Sequence, residues 1–211
     1  MPLTNYGEPY CLQALFGGVT SALPTPTSGS WYVGLIKVKG IWTASTAYAV
    51  GDLVIPTAFS STNKIFRCTT AGTTGASEPS WVTTANATTS DGTAVWTETT
   101  GFFYTSANAI SNEVSGGSYA RQAMTQTQGS STWVAPTTPA SAAPASTNYG
   151  TAVSFPASTA SWGYIAGFFL SNVASAGNSY AWNTLSNFVP ILASGMTLTL
   201  PSSTGVTVTL A

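Results

Sequence analysis

Eleven charged side chains, a set of aromatic rings and no histidine are what this chain of 211 residues offers for chemistry. Glu78, Asp91 and Glu98 lie in one short stretch, and two carboxylates facing each other across a cleft are what glycoside hydrolysis requires. A module of about sixty residues is too small to hold a cleft of that kind. Ser and Thr abound, but an activated hydroxyl needs a neighbouring base, and His is absent. Glu113 and Arg121 sit at either end of a Gly116-Gly117 turn. A catalytic or ligand pair there would need a third polar group, so an ion pair across a hairpin, or a contact between subunits, is the preferred reading. Gly116 and Gly117 are expected to be turn residues with positive φ. Asp52 follows Gly51, and one carboxylate does not hold calcium or magnesium alone. A turn-stabilising bond from Asp52 to backbone amides accounts for it better. With neither His nor a CxxC pair there is no zinc site. No catalytic residue, metal or cofactor is expected.

Four aromatic residues are candidate sugar contacts: Trp42, Tyr48, Trp81 and Trp96. Flat rings stack on pyranose faces and leave the ring edge for hydrogen bonds. A small module also needs such rings for its own core, and that reading is preferred for Trp42 and Trp96. Trp81 follows Pro79 in a loop and is the best exposed candidate.

The elements that must position these residues read as strands. Met196, Leu198 and Leu200, then Val206, Val208 and Leu210, alternate with polar residues around Pro201–Gly205, the pattern of a β-hairpin with one wet face. Trp31–Val38 reads as a well-buried strand. Tyr119–Thr125, Thr151–Phe155, Tyr164–Leu170 and Tyr180–Leu185 are further strands, punctuated by Gly, Pro, Ser and Asn as in a sandwich or barrel. Glu8–Phe16 carries Leu12, Leu15 and Phe16 on one face before Gly17-Gly18, so a short helix is expected there. Ser21–Ser30 and Ala135–Ser146 are Pro-, Ser- and Thr-rich connectors.

Between Lys39 and Gly101 the texture changes. Short strand-like pieces (Trp42, Tyr48–Ile55, Ile65–Thr69, Thr93–Thr97) are set among Thr, Ala, Gly and Ser. Seven of the eleven charges fall here: Lys39, Asp52, Lys64, Arg67, Glu78, Asp91 and Glu98. A separate, more solvated module inserted into an exposed loop of a larger domain explains that imbalance. The expected architecture is all-β, an antiparallel, jelly-roll-like β-sandwich of residues 1–39 and 102–211 with a short N-terminal helix and an inserted β-module at 40–101.

Composition limits the partners. A 44% hydrophobic fraction is ample for a core, and a net charge of −1 with scattered basic residues gives no field for nucleic acid. The most apolar window, Tyr164–Leu170, is too short to span a bilayer, and the first residues lack the form of a signal peptide. Synthesis in a cytoplasm, with Cys11 and Cys68 as reduced thiols, is expected. Asn86-Ala87-Thr88 fits a glycosylation sequon but without a secretory signal reads as accidental. So little charge leaves a surface suited to meeting other protein.

Two resemblances bear on function. Leu15–Gly18, Tyr32–Leu35, the run Glu113-Val114-Ser115-Gly116-Gly117-Ser118-Tyr119-Ala120-Arg121, Phe155-Pro156-Ala157, Ala160–Gly163 and the Thr-alternating C-terminal stretch resemble a family of small tailed-phage virion proteins, tail fibre-like or head decoration-like. Trp42, Tyr48–Val54, Phe66–Gly75, Pro79-Ser80-Trp81 and Asp91–Trp96 resemble chitin- and cellulose-binding modules and their phage-borne relatives. The resemblances imply a virion structural protein and no enzyme. The leading expectation is a decoration (cement) protein on the particle exterior, packed as a homotrimer on the major capsid protein or other virion proteins and displaying a carbohydrate-binding-like module to host glycans. The alternative is a tail fibre or tail-tip protein that recognises host polysaccharide.

Overall fold

The computed structural model describes residues 30–58, 64–99, 112–125, 146–202 and 204–209. The helix expected over Glu8–Phe16, Cys11, and all but the last residue of each Pro-rich connector lie outside them. The first strand, β1 (Ser30–Val38), is followed by seven short ones: β2 (Gly40–Ile41), β3 (Ala47–Tyr48), β4 (Leu53–Ile55), β5 (Phe66–Thr70), β6 (Gly72–Thr73), β7 (Thr88–Asp91) and β8 (Ala94–Glu98). Then come β9 (Gln122–Thr125), β10 (Ser146–Asn148), β11 (Val153–Ser154), β12 (Gly163–Ser171), β13 (Ser179–Ile191), β14 (Thr199–Leu200) and β15 (Thr207–Thr209). The described residues are all-β, with no helix, and every ladder with a described register is antiparallel except β2–β4. The chain divides into two compact units, Met1–Ile36 with Tyr104–Ala211, and Lys37–Phe103.

The larger unit is built on a four-stranded sheet in the order β13-β12-β1-β9. Side chains alternate along β1, so Val33 and Leu35 face one core with Met124 of β9 and Ile165, Phe168 and Leu170 of β12. Across that core lie Tyr149, Val153, Phe155, Leu198, Leu200 and Val206. These come from around the two short ladders β10–β15 and β11–β14, which gives sandwich-like packing. Ile165 and Phe168 are three residues apart yet face the same core, because the register with β13 shifts between Ile165 and Gly167. A bulge of this kind resets the inward phase and explains why the apolar run in β12 shows no clean alternation. On the other face of β1, a Cβ on Gly34 would lie 2.3 Å from the Phe169 ring. Only glycine lets that ring pack so closely on the strand.

The C-terminal strands correct one expectation. β14 pairs with β11 (Val153↔Leu200) and β15 with β10 (Thr147↔Val208), so the two do not form a hairpin with each other. Alternation along the chain sets which face is buried, as Leu198, Leu200 and Val206 show. It carries no information about which strand supplies the hydrogen bonds.

The smaller unit has a five-stranded sheet, β2-β4-β5-β8-β7, and a β3–β6 ladder. Val54, Phe66, Cys68, Ala94 and Trp96 project from one side of the sheet into a core that Tyr48 completes. Strand β7 reads Thr-Thr-Ser-Asp and has no apolar residue, yet Thr89 and Asp91 face inward and are buried. They are tolerated because both are hydrogen-bonded, Thr89 by accepting from the Val82 amide at 3.0 Å.

Candidate functional site

Three of the four aromatic candidates are interior. Trp42, Tyr48 and Trp96 are 8%, 6% and 0% exposed, and Tyr48 meets Trp96 edge-on with centroids 5.0 Å apart. A buried indole needs an acceptor for its N–H. Asp91 supplies one for both: its Oδ2 accepts from Trp42 Nε1 at 2.7 Å and Trp96 Nε1 at 3.0 Å. Its Oδ1 accepts from the Gly75 amide at 2.8 Å. Asp-Gly is a turn dipeptide, and Asp91-Gly92 lies where β7 turns into β8. The clamp on two tryptophans was missed, although two Trp rings expected in one small core already called for a buried acceptor.

Trp81 is placed differently. It is half-buried in the loop before β7, with its ring 4.2 Å from Phe66 and tilted by 32°, and edge-on to Trp96 at 6.0 Å. Its Nε1 donates to Glu78 Oε1 at 2.8 Å, and exposed Ser80 and Val82 flank it. The indole is therefore held at a fixed angle, packed on Phe66 yet partly open to solvent. Glu78 is the fixing group, since it also accepts from the Thr57 amide at 2.9 Å and from the Thr57 hydroxyl.

Partial burial alone would raise the pKa of Glu78, but the bonds from Thr57 and Trp81 outweigh it and hold the carboxyl below its ordinary range. A carboxylate depressed in the folded state stabilises the fold above its unfolded pKa, and that contribution fades as pH falls through the folded value. Thermal melts of the wild type followed by tryptophan fluorescence should lose stability between about pH 5 and pH 3. Glu78→Gln should be less stable at neutral pH and show a shallower acid limb. An acid limb of unchanged slope in this variant would contradict the assignment.

Asp52 holds the turn at Gly51. Its Oδ2 accepts from the Ala49 amide at 2.8 Å and pairs with Lys39 Nζ at 2.6 Å, and that ammonium lies 4.7 Å from the Tyr48 ring centroid. Cys68 is a free, buried thiol. Burial first, then the charge of Asp52, pushes its pKa up, which disfavours the reactive thiolate. Among the described residues, no group of three or more His, Cys, Asp or Glu is placed to hold a metal ion.

In the larger unit, Glu113 and Arg121 form a side-on, two-bond pair. Arg121 Nε donates to Glu113 Oε1 and Nη2 to Oε2, both at 2.7 Å. Tyr119, not singled out in the sequence, joins them: its hydroxyl donates to Glu113 Oε1 at 3.0 Å and accepts from the Leu35 amide at 2.9 Å. Burial, then the Glu113 charge, pushes the Tyr119 pKa well up. Gly116, Gly117 and Ser118 all have positive φ, at 74°, 57° and 64°. The Gly117 carbonyl accepts from Trp162 Nε1 at 2.8 Å, and a Cβ on Gly117 would lie 2.9 Å from that nitrogen. The motif from Glu113 to Arg121 thus closes on itself and on the core.

Neither site gathers a nucleophile with a base, and one carries an aromatic surface while the other is a structural clamp. Against this geometry, the family model for Podophage GP4 fiber I protein gp80 matches residues 63–204, more than half of the chain. The chain belongs to the gp80 fibre protein family. It is accordingly a fibre-like structural protein of a phage virion. The gp80 match begins inside the smaller unit and runs through most of the larger one, so both units contribute residues to the family pattern. No curated protein matches the chain. Among the described residues, no helix is long and apolar enough to cross a membrane.

Proposed function

We propose that this gp80-family protein is a subunit of an external fibre. In this reading copies of the larger unit pack together, as a homotrimer, through β-surfaces that carry almost no charge, and the smaller unit is a module that touches host-surface glycans. The family match carries the fibre reading. The self-packing reading draws on a 5% charged composition, because faces with few ions lose little solvation on association. The glycan reading draws on the resemblance to carbohydrate-binding modules and on Trp81, whose ring is oriented by Glu78 and stays partly open. Weak stacking on a sugar becomes useful when many copies are displayed together.

Two measurements test this. Quantitative gel densitometry of purified particles should give the copy number of a set of fibres; a number matching the capsid symmetry sites would mean decoration instead. Binding to host polysaccharide should fall about tenfold in Trp81→Ala, the loss of one stacked ring. Truncation also removes the packing on Phe66, so the fold is checked by circular dichroism. Trp81→Phe, which keeps a ring, should retain part of the binding. No binding by the unaltered protein would make the smaller unit a spacer.

A further inference from the structure

The turn between β12 and β13 carries no charged residue and is formed by Asn172-Val173-Ala174-Ser175-Ala176-Gly177-Asn178. Ala174 to Gly177 are exposed. Three acceptors around this turn converge on one nitrogen of Arg121. Its Nη1 donates to Ser171 Oγ at 3.0 Å, to the Val173 carbonyl at 3.0 Å and to the Ala176 carbonyl at 2.7 Å. Ser171 Oγ also accepts from the Val173 amide at 3.3 Å. Ala176 and Gly177 adopt positive φ, at 53° and 70°, a conformation that a non-glycine residue holds only when its surroundings impose it.

The opposite edge of the same guanidinium is held by Glu113, its carbon lies 4.8 Å from the centroid of the Phe169 ring, and the Arg121 side chain is only 6% exposed. Glu113 is tied in turn to β1 through the Ile36↔Glu113 bridge and Tyr119. We infer that the Glu113–Arg121 pair is a conformational lock that gives the 172–178 turn its shape. The guanidinium connects a rigid strand to two turn carbonyls that, without it, would find their partners in water. The motif from Glu113 to Arg121 therefore acts on a surface element some fifty residues further along the chain.

Limited proteolysis with elastase, which cleaves after small residues such as Ala174 and Ala176, tests the lock on the full chain, with fragments mapped by mass spectrometry. Arg121→Met should be cut within 172–178 at least about tenfold faster than the wild type, at temperatures well below its melting transition. Arg121→Lys, which keeps the charge but not the fork, should be cut at an intermediate or similar rate. Equal cleavage rates at the turn in all three proteins would overturn the inference. Global unfolding of both variants with no preferential cut at the turn would overturn it as well, because the pair would then hold the whole unit rather than the turn.

Discussion

Asp91→Ala is expected to leave the smaller unit largely unfolded at room temperature. The side chain is 3% exposed and accepts three hydrogen bonds, from two indole nitrogens and a backbone amide. Removing it takes away the acceptor of all three donors, and each unsatisfied buried group costs about 1–3 kcal/mol. A β-unit as short as Lys37–Phe103 has a net stability of only about 3–5 kcal/mol. The loss is therefore comparable to the whole stability of the unit. Urea titration followed by tryptophan fluorescence should show Trp42 and Trp96 already solvent-relaxed in buffer. Asp91→Asn keeps one acceptor oxygen and should fall between the two. A midpoint for Asp91→Ala within the error of the wild type would show that the indoles find other partners and that the clamp is incidental.

Glu113→Ala should destabilise the larger unit by about 3 kcal/mol, the cost of leaving one member of a buried pair without its counter-charge. The asymmetry of the pair makes a sharper test than the size of the effect. Arg121 is 6% exposed and Glu113 24%, so Glu113 left alone can still be hydrated, whereas Arg121 left alone cannot. Glu113→Ala should thus be more damaging than Arg121→Met, and adding Arg121→Met to Glu113→Ala should recover stability. Chemical denaturation of the four proteins gives the coupling energy directly. Additive losses in the double variant would mean that the two residues act separately.

The sequence made some of this architecture legible and hid the rest for identifiable reasons. β1, β12 and β13 were readable because aromatic and β-branched runs between Gly, Ser and Asn punctuation leave few other ways to be buried. The all-β, antiparallel, sandwich-like class followed from the same runs. Strand β7 was invisible because its inward residues, Thr89 and Asp91, are polar, and alternation of polar with polar gives no hydrophobic signal. The alternation around Pro201–Gly205 reads as a hairpin, but the two strands joined there have their partners far upstream. At the site level, the short spacing of Glu113 and Arg121 exposed their pairing. The further reach of Arg121 to Val173 and Ala176 depends on tertiary folding alone. Trp42 and Trp96 read as core residues from the size of the module, and they are buried; no local pattern reveals that a single carboxylate serves both.

The pairing pattern also sets a timetable for synthesis. β10 finds its partner in residues 207–209, and β1 pairs with residues 122–125. Closing loops of that length before any reward is gained slows folding. The larger unit therefore cannot complete its sheets until residues 207–209 have been translated. Every described paired strand of the smaller unit lies between residues 40 and 98, so that unit can finish before residues 104–209 of the larger unit have been made. Upstream segments of the larger unit must wait meanwhile with unsatisfied strand edges, which makes nascent chains the stage at which copies of this protein are most prone to pair wrongly.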